Sequence, residues 1–240
     1  MIILVLLAQL TGAAAPALAP PAFTYHFDEV KSRVYRYPKG DEKNELRVEA
    51  KQTADAGDIV RTNWLGRAVV AVPERASRFE ISSSTRVRLA GKEPGVLLVL
   101  NQGKVKAFFD ALTGGEAVER RVATPGALLA VRGTRYGADV DGGGQTSLAV
   151  FEGTVEVIPT DPATKPFLVT KDQFCTFKPG APPRIVPMGS MGMTESSWQN
   201  HSSMGSMSQG RGSDGTGMMP GSSGTTGGSM HGSTPMGPKR

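Results

Sequence analysis

The sequence predicts an all-β domain followed by an unstructured C-terminal tail. Three observations carry that expectation. From Phe23 to about Pro187 the apolar residues alternate with polar ones over short runs, and no window keeps a helical period for long. Between the runs stand clusters of Gly, Pro, Asn and Asp, residues that supply the backbone shapes a chain reversal needs. Beyond Pro187 the composition turns to Gly, Ser, Thr and Met, with almost no branched apolar residue to bury. Several short strands at close spacing are compatible with a twisted antiparallel sandwich or a solenoid, and the pattern leaves both open.

The chain opens on "MIILVLLAQLTGAAAPALAPPAF", an apolar run followed by small residues. That layout is expected to be a secretory signal, residues 1–17, cut after Ala17 and followed by a linker over 18–24. Its apolar core is shorter than the ~20 residues a bilayer span requires, and no other segment is expected to cross a membrane. The expectation from this layout is an exported protein. Cys175 is the only cysteine, which excludes an intramolecular disulfide and reads as a small buried strand residue.

The domain is expected over residues 25–186. "ELRVEA" sets Leu46, Val48 and Ala50 against charges, and "RAVVAV", "RFEISSS", "RVRLA" and "GVLLVLNQGKVKAFF" continue the alternation. Turn signals stand at "PKGDEKN", "AGKEPG", "DALTGGE", "DGGGQ" and "TDPATKP". In "TRYGADVD" one face carries Thr134, Tyr136, Ala138 and Val140, expected to be buried. The other carries Arg135, Gly137, Asp139 and Asp141, expected to face solvent. After the reversal at Asp141–Gly144, "TSLAV" returns antiparallel with Leu148 and Val150 on the core face. Gly153 interrupts the alternation before "TVEV", where Val155 and Val157 point inward and Glu156 outward.

Catalytic chemistry finds little to work with. His26, His201 and His231 are the only histidines, two of them in the tail, so neither a His-based triad nor a three-histidine zinc site assembles easily. Nucleophile-elbow, Walker and His-Glu-x-x-His motifs are absent, and the expectation is that the protein is not an enzyme and needs no cofactor. "DVDGGGQTSLAVFE" begins like a calcium loop, yet Val150 stands where a bidentate Glu is required, so a hairpin turn is the better reading. A formal net charge of +5 favours anionic partners. Arg61, Arg67, Arg75, Arg78, Arg86 and Arg88 read as solvated outer faces, with an anionic glycan or lipid headgroup as the sharper option. Base-stacking aromatics are sparse there, which argues against nucleic acid.

The tail, residues 187–240, offers Met188, Met191 and Met193 as M-x-x-M-x-M, and Met204 and Met207 as M-x-x-M. Thioether sulfur prefers Cu(I), so these five are candidate copper ligands in an alternative reading of the protein as a metal-handling one.

"TPGALLAVRGTRYGADVDGGGQTSLAVFEGTVEV" resembles the signature of the FecR-domain family, the all-β periplasmic domain of ferric-citrate-regulator-like proteins. The matching positions are Thr124, Pro125, Val131, Arg132, Gly133, Thr134, Glu152, Gly153, Val155 and Val157. Upstream, "AGDIVRTNWLGRAVVAV" is similar to the family's Gly-Asp-x-Ile-x-Thr opening through Gly57, Asp58 and Thr62, and "LLVLNQGKVKAFF" to its central strand pair through Gly103 and Val105. The core of the signature spans 58–158. These positions are expected to be structural, the corner of a β-domain. Pro125 fixes its own φ and holds Thr124 extended, and Arg132 is expected to tie neighbouring carbonyls or a carboxylate such as Glu152 across the corner. The resemblance implies an exported, non-catalytic module that senses or binds through an envelope protein. The family's regulators also carry a cytoplasmic anti-sigma segment and a membrane anchor; neither pattern is seen here, so direct control of a sigma factor is not expected.

Overall fold

The computed structural model describes residues 23–90, 94–111 and 119–198. The expected signal, and the tail from residue 199 onward, lie outside the described residues.

The all-β expectation is met. Short Val- and Ile-rich runs form strands because branched side chains pack well on a pleated, half-buried surface. In chain order these are β1 (Tyr25–Lys31), β2 (Val34–Tyr37), β3 (Leu46–Arg47), β4 (Thr53–Ala54), β5 (Ile59–Thr62) and β6 (Arg67–Val72). There follow β7 (Ser77–Ile81), β8 (Arg86–Leu89), β9 (Val96–Phe109), β10 (Arg120–Ala123), β11 (Ala127–Val131) and β12 (Arg135–Val140). The last are β13 (Thr146–Glu152), β14 (Thr154–Pro159), β15 (Phe167–Thr170), β16 (Gln173–Lys178) and β17 (Ala181–Pro187).

Pairing arranges them in two layers. The first runs β4, β1, β6, β7, β9, β12, β13, β16, β17, antiparallel throughout. The second runs β3, β2, β5, β8, β9, β10, β11, β14, β15, with β9 and β10 its one parallel pair among the described residues. The 14-residue β9 belongs to both layers. Its first half pairs with β8 and β10, and its second half, from Gly103, pairs with β7 and β12. Gly103 marks the crossing with φ +91°, and a Cβ there would run into the backbone of Ser84 and Thr85.

The core lies between the layers. Phe27, Val70, Phe79, Val105, Tyr136, Leu148 and Cys175 from the first meet Val34, Val60, Val87, Leu98, Leu129, Val155 and Val157 from the second. Phe109 stacks on Tyr136 at 5.9 Å and meets Phe79 edge-on at 5.7 Å.

Two expectations are corrected. The reverse face of β12 is not solvated: Gly137 and Asp139 are buried along with Tyr136, Ala138 and Val140. The chain also does not leave the fold at residue 187. Past β17 it makes a single 3-10 turn at Met188–Met191 and crosses the outer face of the first layer as far as Trp198. There Met188, Met193 and Trp198 pack with Ala149, Phe151 and Phe174 in a second core. Three widely spaced apolar residues in a Gly- and Ser-rich context are enough to hold the segment, because each finds a large apolar partner.

Candidate interaction site

The signature residues sit at the joints of the fold. Gly57 donates its N–H to the Leu89 carbonyl at 2.6 Å. The buried Asp58 carboxylate accepts the Lys39 N–H at 2.8 Å and the Asp55 N–H at 3.2 Å, and meets Arg36 Nη1 at 3.2 Å. Thr62 Oγ1 donates to the Ser82 carbonyl at 2.6 Å and accepts the Thr85 N–H at 2.9 Å. In turn, Thr85 Oγ1 accepts the Lys104 N–H at 2.9 Å, tying β8 to the crossing in β9. Thr124 Oγ1 accepts the Ala127 N–H at 3.2 Å across the Pro125–Gly126 turn, and Thr134 Oγ1 donates to the Thr154 carbonyl at 3.1 Å. Val105, Val131, Val155 and Val157 are core residues. Gly133 and Gly153 both take positive φ, +55° and +78°.

Arg132 does not hold Glu152. It is exposed, and Glu152 is met by Arg135, whose Nε lies 3.2 Å from Oε2. The Arg135 guanidinium holds the Glu152 carboxyl below the usual carboxylate range. A register shift between Arg135 and Tyr136 turns Arg135 onto the same face as Glu152. Asp141 accepts the N–H groups of Gly143 and Gln145 at 2.9 Å each, the geometry of a hairpin turn.

The outer face of the first layer holds most of the side-chain chemistry. Lys104 is buried on it, with Nζ 3.8 Å from Asp139 Oδ2 and donating to the Trp198 carbonyl at 3.0 Å. The same ammonium stands 4.9 Å from the indole centroid. Burial pulls the Lys104 pKa down, and the Asp139 carboxylate opposes that pull. Farther along, Glu195 bridges Lys106 at 2.7 Å and Arg135 at 3.6 Å. Thr194 and Ser197 bond each other's N–H groups, and the Trp198 N–H reaches the Thr194 carbonyl at 3.1 Å, so the segment ends in a closed turn. Half of the face is therefore occupied by a peptide of the same chain. The remaining half, on β1, β6 and β7, holds a shallow pocket of about 240 Å³ lined by Glu29, Lys31, Arg67, Val69, Arg78 and Glu80.

The sheet edges are blunted. On β17 the positions whose N–H points away from β16 are 185 and 187, by the alternation that bonds Met188 N to Asp172 O, and a register shift interrupts the ladder at 182–183. Pro187 occupies one of them, Pro182 and Pro183 stand at the shift, and none of the three has an N–H to offer. On β15 the outward N–H of Thr170 is taken by Gln173 Oε1 at 2.9 Å, which leaves that of Leu168. At the other end β3 and β4 are two residues each, and the Thr53 carbonyl of β4 accepts from Arg36 at 3.1 Å.

The remaining candidates are scattered. Met188 and Met193 are buried in the second core and Met191 is exposed; Met204 and Met207 lie outside the described residues. Among the described residues no group of three His, Cys, Asp or Glu side chains could hold a metal ion. Burial pushes the Cys175 thiol up to about 12, far from a nucleophile's range. Arg61 pairs with Glu45 at 3.0 Å, Arg78 with Glu80 at 3.5 Å, and Arg86 with Glu42. These three arginines thus have acidic neighbours and do not line up as a basic stripe.

A two-layer antiparallel domain with threonine- and aspartate-locked corners is the class of protein defined here. Residues 58–156 match the model of the FecR protein family, so the resemblance carried by the signature is shown from the corner before β5 through β14. No curated protein matches the chain. Two crystal structures of a candidate anti-sigma factor from Parabacteroides distasonis ATCC 8503 are similar to it at 14% identity and a TM-score of 0.43. The similarity covers 54% of this chain and 59% of theirs.

Proposed function

We propose that the protein is an exported, non-catalytic sensing and binding module that acts in the cell envelope through a protein partner. The FecR match over residues 58–156 supports a regulatory role of this kind. Recognition is assigned to the outer face of the first layer, in place of the sheet-edge pairing that short exposed strands would suggest. One observation carries that assignment: this face already binds a peptide, residues 188–198, through an indole, two thioethers and the Glu195 ion pairs. The open half beside it offers the same mixture, Val69 among charges of both signs.

A photo-crosslinker tests the reading when placed at Val69 or Arg78 on the open half, and at Leu168 on the β15 edge, in intact envelope. Crosslinking of one protein from positions 69 and 78, with none from 168, is the expected result. Crosslinking from 168 alone would return recognition to the edge, and silence at all three positions would remove the protein-partner reading.

A further inference from the structure

We infer that the β5–β6 turn is a lipid-contacting tip that seats the domain on an anionic membrane surface. Trp64 is 73% exposed and Leu65 beside it 55%, and Trp64 is the most exposed of the large apolar residues described. Single apolar residues on a surface need no explanation, but an adjacent Trp–Leu pair at the apex of a turn is a different feature.

The turn is built to hold the pair out. Asn63 Oδ1 accepts the Leu65 N–H at 3.2 Å, and the Asn63 carbonyl accepts both the Gly66 N–H at 3.0 Å and the Ser84 N–H at 2.9 Å. The Asn63 N–H donates to the Arg33 carbonyl at 3.2 Å. Asn63 thus locks three neighbouring turns, residues 31–33, 63–67 and 82–85, into one rim. Little conformational freedom remains to be lost when the tip meets a surface.

The charge of that rim selects the occupant. The three turns contain Lys31, Arg33 and Arg67 and no acidic residue. All three cations are exposed, and Lys31 and Arg67 are cross-strand partners at the end of β1 and β6. Glu29 and Glu80 stand farther back, lining the pocket with Lys31 and Arg67. An indole with an apolar body and a polar N–H is suited to the headgroup level of a bilayer. Basic residues beside it are attracted to anionic headgroups within a Debye length. Two apolar side chains and three cations together give weak, reversible attachment of the kind that needs both contributions.

The tip shares Lys31 and Arg67 with the open half of the proposed peptide face, whereas Trp64 and Leu65 lie outside that pocket's lining, and its test uses lipid alone and needs no partner. The 240-residue chain is mixed with vesicles of phosphatidylglycerol and phosphatidylcholine carrying brominated acyl chains, and with vesicles of phosphatidylcholine alone carrying the same brominated chains. Trp198 is buried and contributes a constant background. The expected result is quenching of Trp64 emission by the anionic vesicles only, relieved by salt and absent in Trp64→Phe. Trp64→Phe identifies the quenched indole, and Leu65→Ser keeps both that indole and the apolar N-terminus, so a difference between the parent chain and Leu65→Ser comes from the tip. Leu65→Ser is expected to reduce quenching at fixed lipid by about tenfold in apparent affinity, with unchanged thermal stability. Unquenched Trp64 on anionic vesicles overturns the inference. So does equal quenching on phosphatidylcholine alone, or a crosslink from position 64 to a protein without lipid quenching.

Discussion

The indole of Trp198 occupies the space in which residue 137 would carry a side chain: a Cβ built on Gly137 would collide with Nε1 and Cε2 of the ring. A strand position without a side chain is thereby made into a socket, and the glycine of "TRYGADVD" acquires a packing role. Gly137→Ala is expected to force the ring outward at a cost of about 1–3 kcal/mol, typical of overpacking. Urea unfolding measures the loss, and a red shift of Trp198 emission in the still-folded protein locates it.

The Lys104–Asp139 pair is the buried ionic element under the same segment, with side chains 10% and 9% exposed. Lys104→Met leaves a buried carboxylate without its ammonium and is expected to cost about 3–5 kcal/mol. Lys104→Met combined with Asp139→Leu removes both charges and is expected to recover most of that loss. Denaturation of the two single variants and the double variant closes the cycle.

Tyr136 gives the protein an alkaline limit. Its hydroxyl is buried, has no hydrogen-bond partner among the described residues, and burial raises its pKa well above the ordinary value of 10. A group whose folded pKa is raised contributes stability that is fully present below the unfolded pKa and is lost as pH rises above it. Stability should therefore fall from about pH 10 upward. Tyr136→Phe is expected to flatten that decline and, by deleting an unsatisfied hydroxyl, to leave stability at pH 7 equal or higher by up to about 1 kcal/mol. Tyr25, raised in the same direction by burial, keeps part of the alkaline slope in the variant. Unfolding curves between pH 8 and 11 check the difference.

Cys175 should be silent toward thiol reagents in the native state. It is fully buried, and its thiol is pushed up to about 12. Labelling is expected only on unfolding, with a rate that follows the unfolded fraction across a urea series. Fast labelling without denaturant would show that β16 opens locally.

At the corner, Arg132→Ala is expected to shift stability by no more than about 0.5 kcal/mol, as for an ordinary surface change. Arg135→Ala, which loses contacts to both Glu152 and Glu195, should loosen residues 188–198 and hasten their proteolysis. Equal behaviour of the two variants would remove the special place given to Arg135.

Much of this fold was legible because a strand's period of two and the chemistry of its turns are both local properties. β12, β13 and β14 follow from alternation around Tyr136, Val150 and Val155, and the hairpin at Asp141 follows from its glycines. What escaped was non-local. Arg132 and Arg135 are equally plausible partners for Glu152 until a register shift decides between them. Nothing in "GVLLVLNQGKVKAFF" except Gly103 announces that one strand serves both layers. The cover over Gly137 was hidden because Met188, Met193 and Trp198 lie in a stretch whose average composition resembles a linker. Only the large apolar partners waiting on β13 and β16 reveal that they are core residues. The proline blunting of β17 was readable in "APPRIVP", and its meaning required knowing that β17 is an edge.

The second core also sets where the polypeptide can be shortened. A chain stopped at Pro187 would keep every described strand, yet Phe151, Phe174 and Ala149 would become solvent-facing neighbours on one wall. Contiguous apolar surface of that kind promotes self-association and indiscriminate adhesion. Such a product would precipitate or would retain unrelated proteins in any capture experiment, and a shortened form meant to stay soluble should end after Trp198.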